Sequence, residues 1–211
     1  MVLELLEKPA FRKAARGRAG ADRGEAAEAE DRILLSVLDW ETYEAIDAAF
    51  AEDLDGSRLF YLDGVLEIMG TSSRHEELKK WLADLLAQYF IARRVPVYPR
   101  GQATIKRLEQ AGAEPDESWC LGERKEVPDL VLEIALSSGG LPKLEIYRRL
   151  AVPEVWLWRE DRLEVWSLGP EGYEGPLPAS RLLPDLPVGR LAECARIPDW
   201  MEAIERFREA L

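Results

Sequence analysis

The chain has 211 residues, 28 Lys+Arg against 40 Asp+Glu and a net charge of −12. With 47% hydrophobic and 32% charged residues it can build a core, which excludes wholesale disorder. Cys120, Cys194 and the single His75 are too few for a zinc finger or a disulfide scaffold, and the acidic balance excludes broad electrostatic capture of nucleic acid.

No apolar run approaches the ~18–20 residues of a bilayer span, and no signal-peptide pattern opens the chain, so a soluble cytoplasmic protein is expected. Residues 1–31 carry a basic stretch, Arg12 to Arg23, followed by an acidic one, Glu25 to Asp31, and read as a charged, mobile tail; residues 32–211 read as one domain. Asp39 is a helix-cap candidate before Trp40, Tyr43, Ile46 and Phe50 at helical spacing. Asp63-Gly64 between two apolar runs predicts a tight hairpin over Leu59–Met69. Ser73 with Glu76 fits a capping box, followed by Leu78, Trp81, Leu82, Leu85, Leu86 and Phe90 on one helical face as far as Arg93.

Val95–Tyr98 and Gln102–Lys106 read as strand pieces, Glu109–Ala113 as a loop, and Glu114–Leu121 as an extended segment. Pro128–Leu136 is a nearly continuous apolar strand, the pattern of one covered on both faces. Ser137-Ser138-Gly139-Gly140 ends it, and Pro142 opens a helix through Tyr147 and Leu150. Two strands joined near Glu160-Asp161 follow, then an edge strand at Gly172–Gly175 and a closing helix from Ile197 to Leu211, with Trp200, Ile204 and Phe207 on one side. Trp156, Trp158 and Trp166 alternate along their strands, which favours core packing or a dimer face over base stacking. This order describes an α/β sheet flanked by helices, without a G-x-G-x-x-G, Walker or G-x-S-x-G signature.

Three carboxylates occupy awkward positions. Glu67 and Glu133 each sit inside an apolar strand, and Asp116 follows Pro115 at a strand mouth. A buried carboxylate must pair, protonate or bind a cation, and several converging would suit Mg²⁺ or Mn²⁺; the alternative is that each points to solvent. Asp129 competes as a ligand, because four strand residues separate it from Glu133 and the two then share a face.

Glu114-Pro115-Asp116, Pro128-Asp129 opening the strand of Glu133, and Lys143 with Tyr147 a turn later resemble the putative restriction endonuclease branch of the PD-(D/E)xK nuclease superfamily. Gly64–Glu67, His75 and Ile146–Trp156 resemble it too, over roughly Trp40 to Leu211. The resemblance implies a restriction-endonuclease-like mixed sheet core, αβββαβ, and a Mg²⁺- or Mn²⁺-dependent endonuclease acting on DNA. Carried over by position, Asp116 and Glu133 hold the metal, with the Ile134 carbonyl a third ligand and Glu67 an outer ligand or second cation site. Lys143 orients or deprotonates the attacking water, and His75 bonds a carboxylate or a phosphate. Tyr147, Gln102 and Arg148 are substrate-side candidates. Further phosphate contacts are sought among Arg93, Arg94, Arg100, Lys106, Arg107 and Arg149. One departure stands out: the superfamily's Lys, two residues after the Glu, is Ala135 here, so Lys143 must reach in from the next helix. That departure and the net charge of −12 keep a catalytically inactive binding or assembly module open as the rival, and apolar strand edges leave a homodimer open.

Overall fold

A computed structural model describes residues 32–36, 38–53, 57–136 and 140–211. The expectations for the 1–31 tail and for Ser137-Ser138-Gly139 lie outside the described residues. Strand β1 (Arg32–Ser36) and helix α1 (Trp40–Asp53) come first. Asp39 caps α1, its carboxylate accepting from Thr42 N at 2.8 Å. Strands β2 (Ser57–Leu62) and β3 (Val65–Gly70) form the expected hairpin, turning on Asp63 and Gly64 at φ 47° and 83°. Positive φ at two successive positions is what a type I′ turn requires.

Helix α2 (Ser73–Arg93) is capped by Ser72, not by Ser73. The Ser72 hydroxyl accepts from His75 N at 3.2 Å, so the residue three beyond the cap is His75, and Glu76 is freed for an ion pair. After α2 come β4 (Val97–Pro99), β5 (Ile105–Arg107), β6 (Ala111–Ala113), β7 (Glu117–Leu121) and β8 (Leu130–Ala135). The loop expected at Glu109–Ala113 is in part a strand: β6 pairs with both β2 and β5. Ala-Gly-Ala carries no strand pattern, but Tyr43 accounts for it. A Cβ on Gly112 would come within 2.1 Å of the Tyr43 hydroxyl oxygen, so only glycine leaves room for that ring.

Helix α3 (Lys143–Arg149) follows Pro142, then β9 (Glu154–Arg159), β10 (Arg162–Gly169) and β11 (Gly172–Leu177). Helix α4 (Val188–Cys194) is not expected from the sequence, and α5 (Trp200–Arg208) is a shortened form of the closing helix. Trp200 stays 40% exposed and donates to Asp84 at 3.1 Å, so it does not share the burial of Ile204 and Phe207.

Two sheets result, β1-β3-β2-β6-β5 and β11-β10-β9-β8-β7-β4. Taken in chain order, α2, β4, β7, β8, α3 and β9 form an αβββαβ unit whose strands are neighbours in the second sheet, and β8 pairs parallel with β9. The β5–β6 hairpin is inserted into that unit and joins the first sheet.

Strand alternation decides which groups meet. Leu130, Leu132 and Ile134 of β8 pack with Leu82, Leu85 and Phe90 of α2. Val131 faces the other way, onto Ile146, Tyr147 and Leu150 around α3 and onto Phe60 and Met69 of the first sheet. Glu133 has the parity of Val131, so it enters the layer between the two sheets. Arg58 shares parity with Phe60 on β2, and Glu67 with Met69 on β3, which sends both into the same layer.

Candidate active site

Five groups singled out in the sequence converge in this interlayer. Glu67 and His75 are 0% exposed, Asp116 1% and Glu133 2%, and the Lys143 side chain keeps 17%.

Asp116 is held at both oxygens. One accepts from His75 Nε2 at 2.8 Å, which requires the proton on that nitrogen; the other accepts from the backbone N–H of Ile134 at 2.7 Å. Arg58 Nε lies 3.6 Å from the first oxygen and has no hydrogen-bond partner there. The bond to Ile134 N crosses from the start of β7 to β8, which places Asp116 beside Glu133.

Glu133 accepts a hydrogen bond from the Tyr147 hydroxyl. Tyr147 is one turn beyond Lys143, so the two share a face of α3. Burial and the Glu133 charge hold the Tyr147 pKa well above 10, and it remains a phenol donor. Burial raises the Glu133 pKa to about 7, with Asp116 adding to the shift and Lys143 opposing it. Lys143 moves the opposite way, down to about 8: burial lowers it, and the charges of Glu133, Glu67 and Asp116 partly restore it. Its Nζ lies over the Phe60 ring and 3.8 Å from Glu67 Oε1, with no hydrogen-bond partner.

Glu67 has the surroundings of a counter-ion. Arg32 Nε is 3.6 Å from its Oε1, and Leu141 N donates to its Oε2. The chain at Gly140 runs so close that a Cβ there would stand 2.6 Å from the same oxygen.

Two buried cations escaped the sequence reading. Arg58 spans Asp116 and Glu76, the latter at 3.4 Å, and Lys79, 1% exposed, pairs with Glu76. A signal existed for Lys79, because His75, Lys79, Leu82 and Leu86 follow one another on a single helical stripe. A lone cation in Ser57-Arg58-Leu59-Phe60 was the corresponding signal for Arg58.

Other candidates lie apart. Asp129 is bound to Lys125 at 2.7 Å and to Leu121 N at 2.7 Å, at the opposite end of β8. Gln102 is exposed in the turn after β4, not on a strand. Arg148 pairs with Glu145 at 2.7 Å and Arg149 with Asp63 at 2.7 Å, both near the surface. Arg100, Lys106 and Arg107 line one cavity of about 660 Å³ away from the acids, where Lys106 already pairs with Asp47.

The donors of Asp116 and Glu133 fit a hard divalent cation. Among the described residues the Glu133 carboxylate meets only a neutral phenol in hydrogen-bond contact, so its charge lacks a bonded cation there, and each Asp116 oxygen retains a second lone pair. Among the described residues no three His, Cys, Asp or Glu side chains stand in ligating geometry. A cation at the two acids would therefore complete its shell with backbone carbonyl, water or phosphate oxygen, as Mg²⁺ commonly does. Glu67, already between Lys143 and Arg32, is the least suited of the three acids.

A family model described as Uma2, putative restriction endonuclease, matches residues 40–204. Among solved structures, the chain is similar to the crystal structure, at 1.96 Å resolution, of a putative nuclease belonging to DUF820 from Anabaena variabilis ATCC 29413. That likeness has 15% identity and a TM-score of 0.45, covering 71% of this chain and 90% of the other. No curated protein matches. No helix of the described residues is long and apolar enough to cross a membrane.

Proposed function

The chain belongs to the Uma2 family of putative restriction endonucleases, and from that premise we propose that it is a Mg²⁺-dependent endonuclease hydrolysing DNA phosphodiester bonds. Asp116 and Glu133 hold the cation. When bound, the ion supplies a Lewis acid for the scissile phosphate. Lys143 orients the attacking water and offsets charge growing on phosphorus oxygens. Glu67 keeps Lys143 in place, Tyr147 steers the Glu133 carboxylate, and His75 and Arg58 fix Asp116.

One observation carries this reading. The superfamily position for lysine is Ala135, yet a lysine amine is supplied from the first residue of α3, buried and within the fields of Glu133, Glu67 and Asp116. An amine lowered to about 8 exchanges protons near neutral pH, as a group assisting water activation must.

The test is cleavage of plasmid DNA with Mg²⁺ by the wild type and by Glu133→Ala. Loss of cleavage in the variant supports the assignment, and retained cleavage ends it. The rival, an inactive binding module, is favoured by the burial of Asp116 and Glu133, at 1% and 2% exposure. It predicts no cleavage by either protein under any divalent ion.

A further inference from the structure

On α2, residues 74, 77, 78 and 81 fall at i, i+3, i+4 and i+7, forming a stripe next to the buried one that carries His75 and Lys79. This second stripe lines a cavity of about 450 Å³, closed on its other sides by Trp158, by Asp161 in the β9–β10 turn and by Arg196 after α4. The sequence pattern assigns Trp81 to the core, but its ring remains partly exposed at this wall. Trp158, 1% exposed, also lines the cavity, and its indole N–H is buried without a hydrogen-bond partner. A smaller cavity of about 180 Å³ shares Arg74 and Asp161 and reaches Leu136, which follows β8 and packs on the α2 side of the sheet, the face opposite Glu133. The two make a groove leading to the end of β8, and Arg74 is the chain neighbour of His75.

We infer that this groove is a subsite for one unpaired nucleotide of a bound strand, its base lying against Trp81. The inference rests on the nuclease reading for the identity of the ligand. The lining selects a base over a bare phosphate. Arg74 and Arg196 stand against Glu77, Glu160 and Asp161, which leaves no net pull on an isolated anion but supplies donors and acceptors to the edge of a neutral heterocycle. Trp81 is a partly exposed aromatic on the cavity wall against which a base can stack, and a volume near 450 Å³ accommodates a nucleotide. A base stacked and paired inside a duplex cannot enter, so the groove takes single-stranded or locally opened DNA.

The test is binding in EDTA, which separates it from cleavage. A fluorescein-labelled single-stranded oligonucleotide is titrated with the full chain and with Trp81→Ala, Trp81→Phe and Arg196→Ala, while thermal melting monitors the fold. The inference predicts a Kd raised about tenfold or more by Trp81→Ala, substantially restored by Trp81→Phe, with melting unchanged. A walk of single abasic positions along the strand should find one that weakens wild-type binding and leaves Trp81→Ala unaffected. Wild-type affinity in both alanine variants overturns the subsite, as does failure of the wild type to bind the strand. If Glu133→Ala still cleaves DNA, the catalytic assignment falls while these binding results stand on their own.

Discussion

The carboxylate of Asp116 accepts the backbone N–H of Ile134 at 2.7 Å, so the acid at the mouth of β7 is locked to the residue that follows Glu133 on β8. Asp116 also anchors His75 and faces Arg58, which is 3% exposed. Asp116→Ala should therefore leave the buried Arg58 guanidinium with Glu76 alone as its anion, strip His75 and Ile134 N of their acceptor, and cost about 3–5 kcal/mol, read as a lower urea midpoint. Asp116→Asn keeps an acceptor for Ile134 N and should cost less, roughly 1–3 kcal/mol. Both should abolish cleavage; an Asn variant that cleaves normally removes Asp116 from the chemistry.

Lys143→Met keeps an unbranched side chain in place and removes the amine that lies over Phe60. Cleavage should fall by roughly 10²–10⁴, the usual range for a lost proton-handling group. Burial lowers the folded-state pKa from 10.5 to about 8. Between those values the unfolded chain binds the extra proton, so wild-type stability should rise with pH from about 8 to 10.5 relative to Lys143→Met. Denaturant melts across that window check the sign; parallel curves would mean that the amine is not desolvated.

For Glu133 the sign reverses. Its pKa rises from 4.5 to about 7 on folding, chiefly through burial, so between those values the folded state holds the proton and stability falls as pH increases. Glu133→Gln should remove that slope and leave a protein more stable than wild type at pH 8, by on the order of 1–3 kcal/mol, while cleaving nothing. On the proposed function the same proton would compete with the cation, and cleavage should show an acid limb near pH 7 that moves down as Mg²⁺ is raised. Chelation should stop cleavage, and added Mg²⁺ should restore it.

The elements that sequence made legible are those whose signal is local. Asp63-Gly64 between apolar runs, the α2 periodicity and the both-sided apolarity of β8 each rest on residues adjacent in chain, and each element appears where expected. Strand β6 was hidden because its reason is Tyr43, nearly seventy positions away along the chain and packed against Gly112. At the site, acids inside apolar strands were visible as a conflict between charge and pattern. Their partners were less so, since Arg58, Lys79 and Arg32 become counter-ions only when two sheets close on one layer. The parity of Glu133 with Val131 fixes its face from sequence, but which helix covers that face does not follow from the strand alone.

Tyr147→Phe removes the phenol hydrogen bond to the Glu133 carboxylate and leaves that carboxylate buried beside an apolar ring. The bond lowers the Glu133 pKa, so its loss should push that pKa further up and shift the acid limb of cleavage to higher pH. Stability should drop by about 1–3 kcal/mol at pH 8 and by less at pH 5, where the acid is already protonated. A pH profile identical to that of wild type would show that Tyr147 only fills space.

Gly140 tests the support of the lysine without touching it. Its φ is +87°, and an added Cβ would stand 2.6 Å from Glu67 Oε2. A carboxylate at a flexible tip normally swings aside, but Glu67 is 0% exposed, bound to Leu141 N and flanked by Arg32 and Lys143, so moving it breaks contacts that water cannot replace. Gly122 provides the control: its φ is +79°, and an added Cβ meets nothing within 4 Å. Gly122→Ala should therefore cost only the backbone strain, about 1–2 kcal/mol, with cleavage kept. Gly140→Ala should cost that strain and a further 1–3 kcal/mol or so, and should lower kcat because Lys143 loses its anchor. Equal unfolding midpoints and equal kcat for the two variants would show that Glu67 can be displaced freely, and the positioning of Lys143 would then have to come from Phe60 and α3 alone.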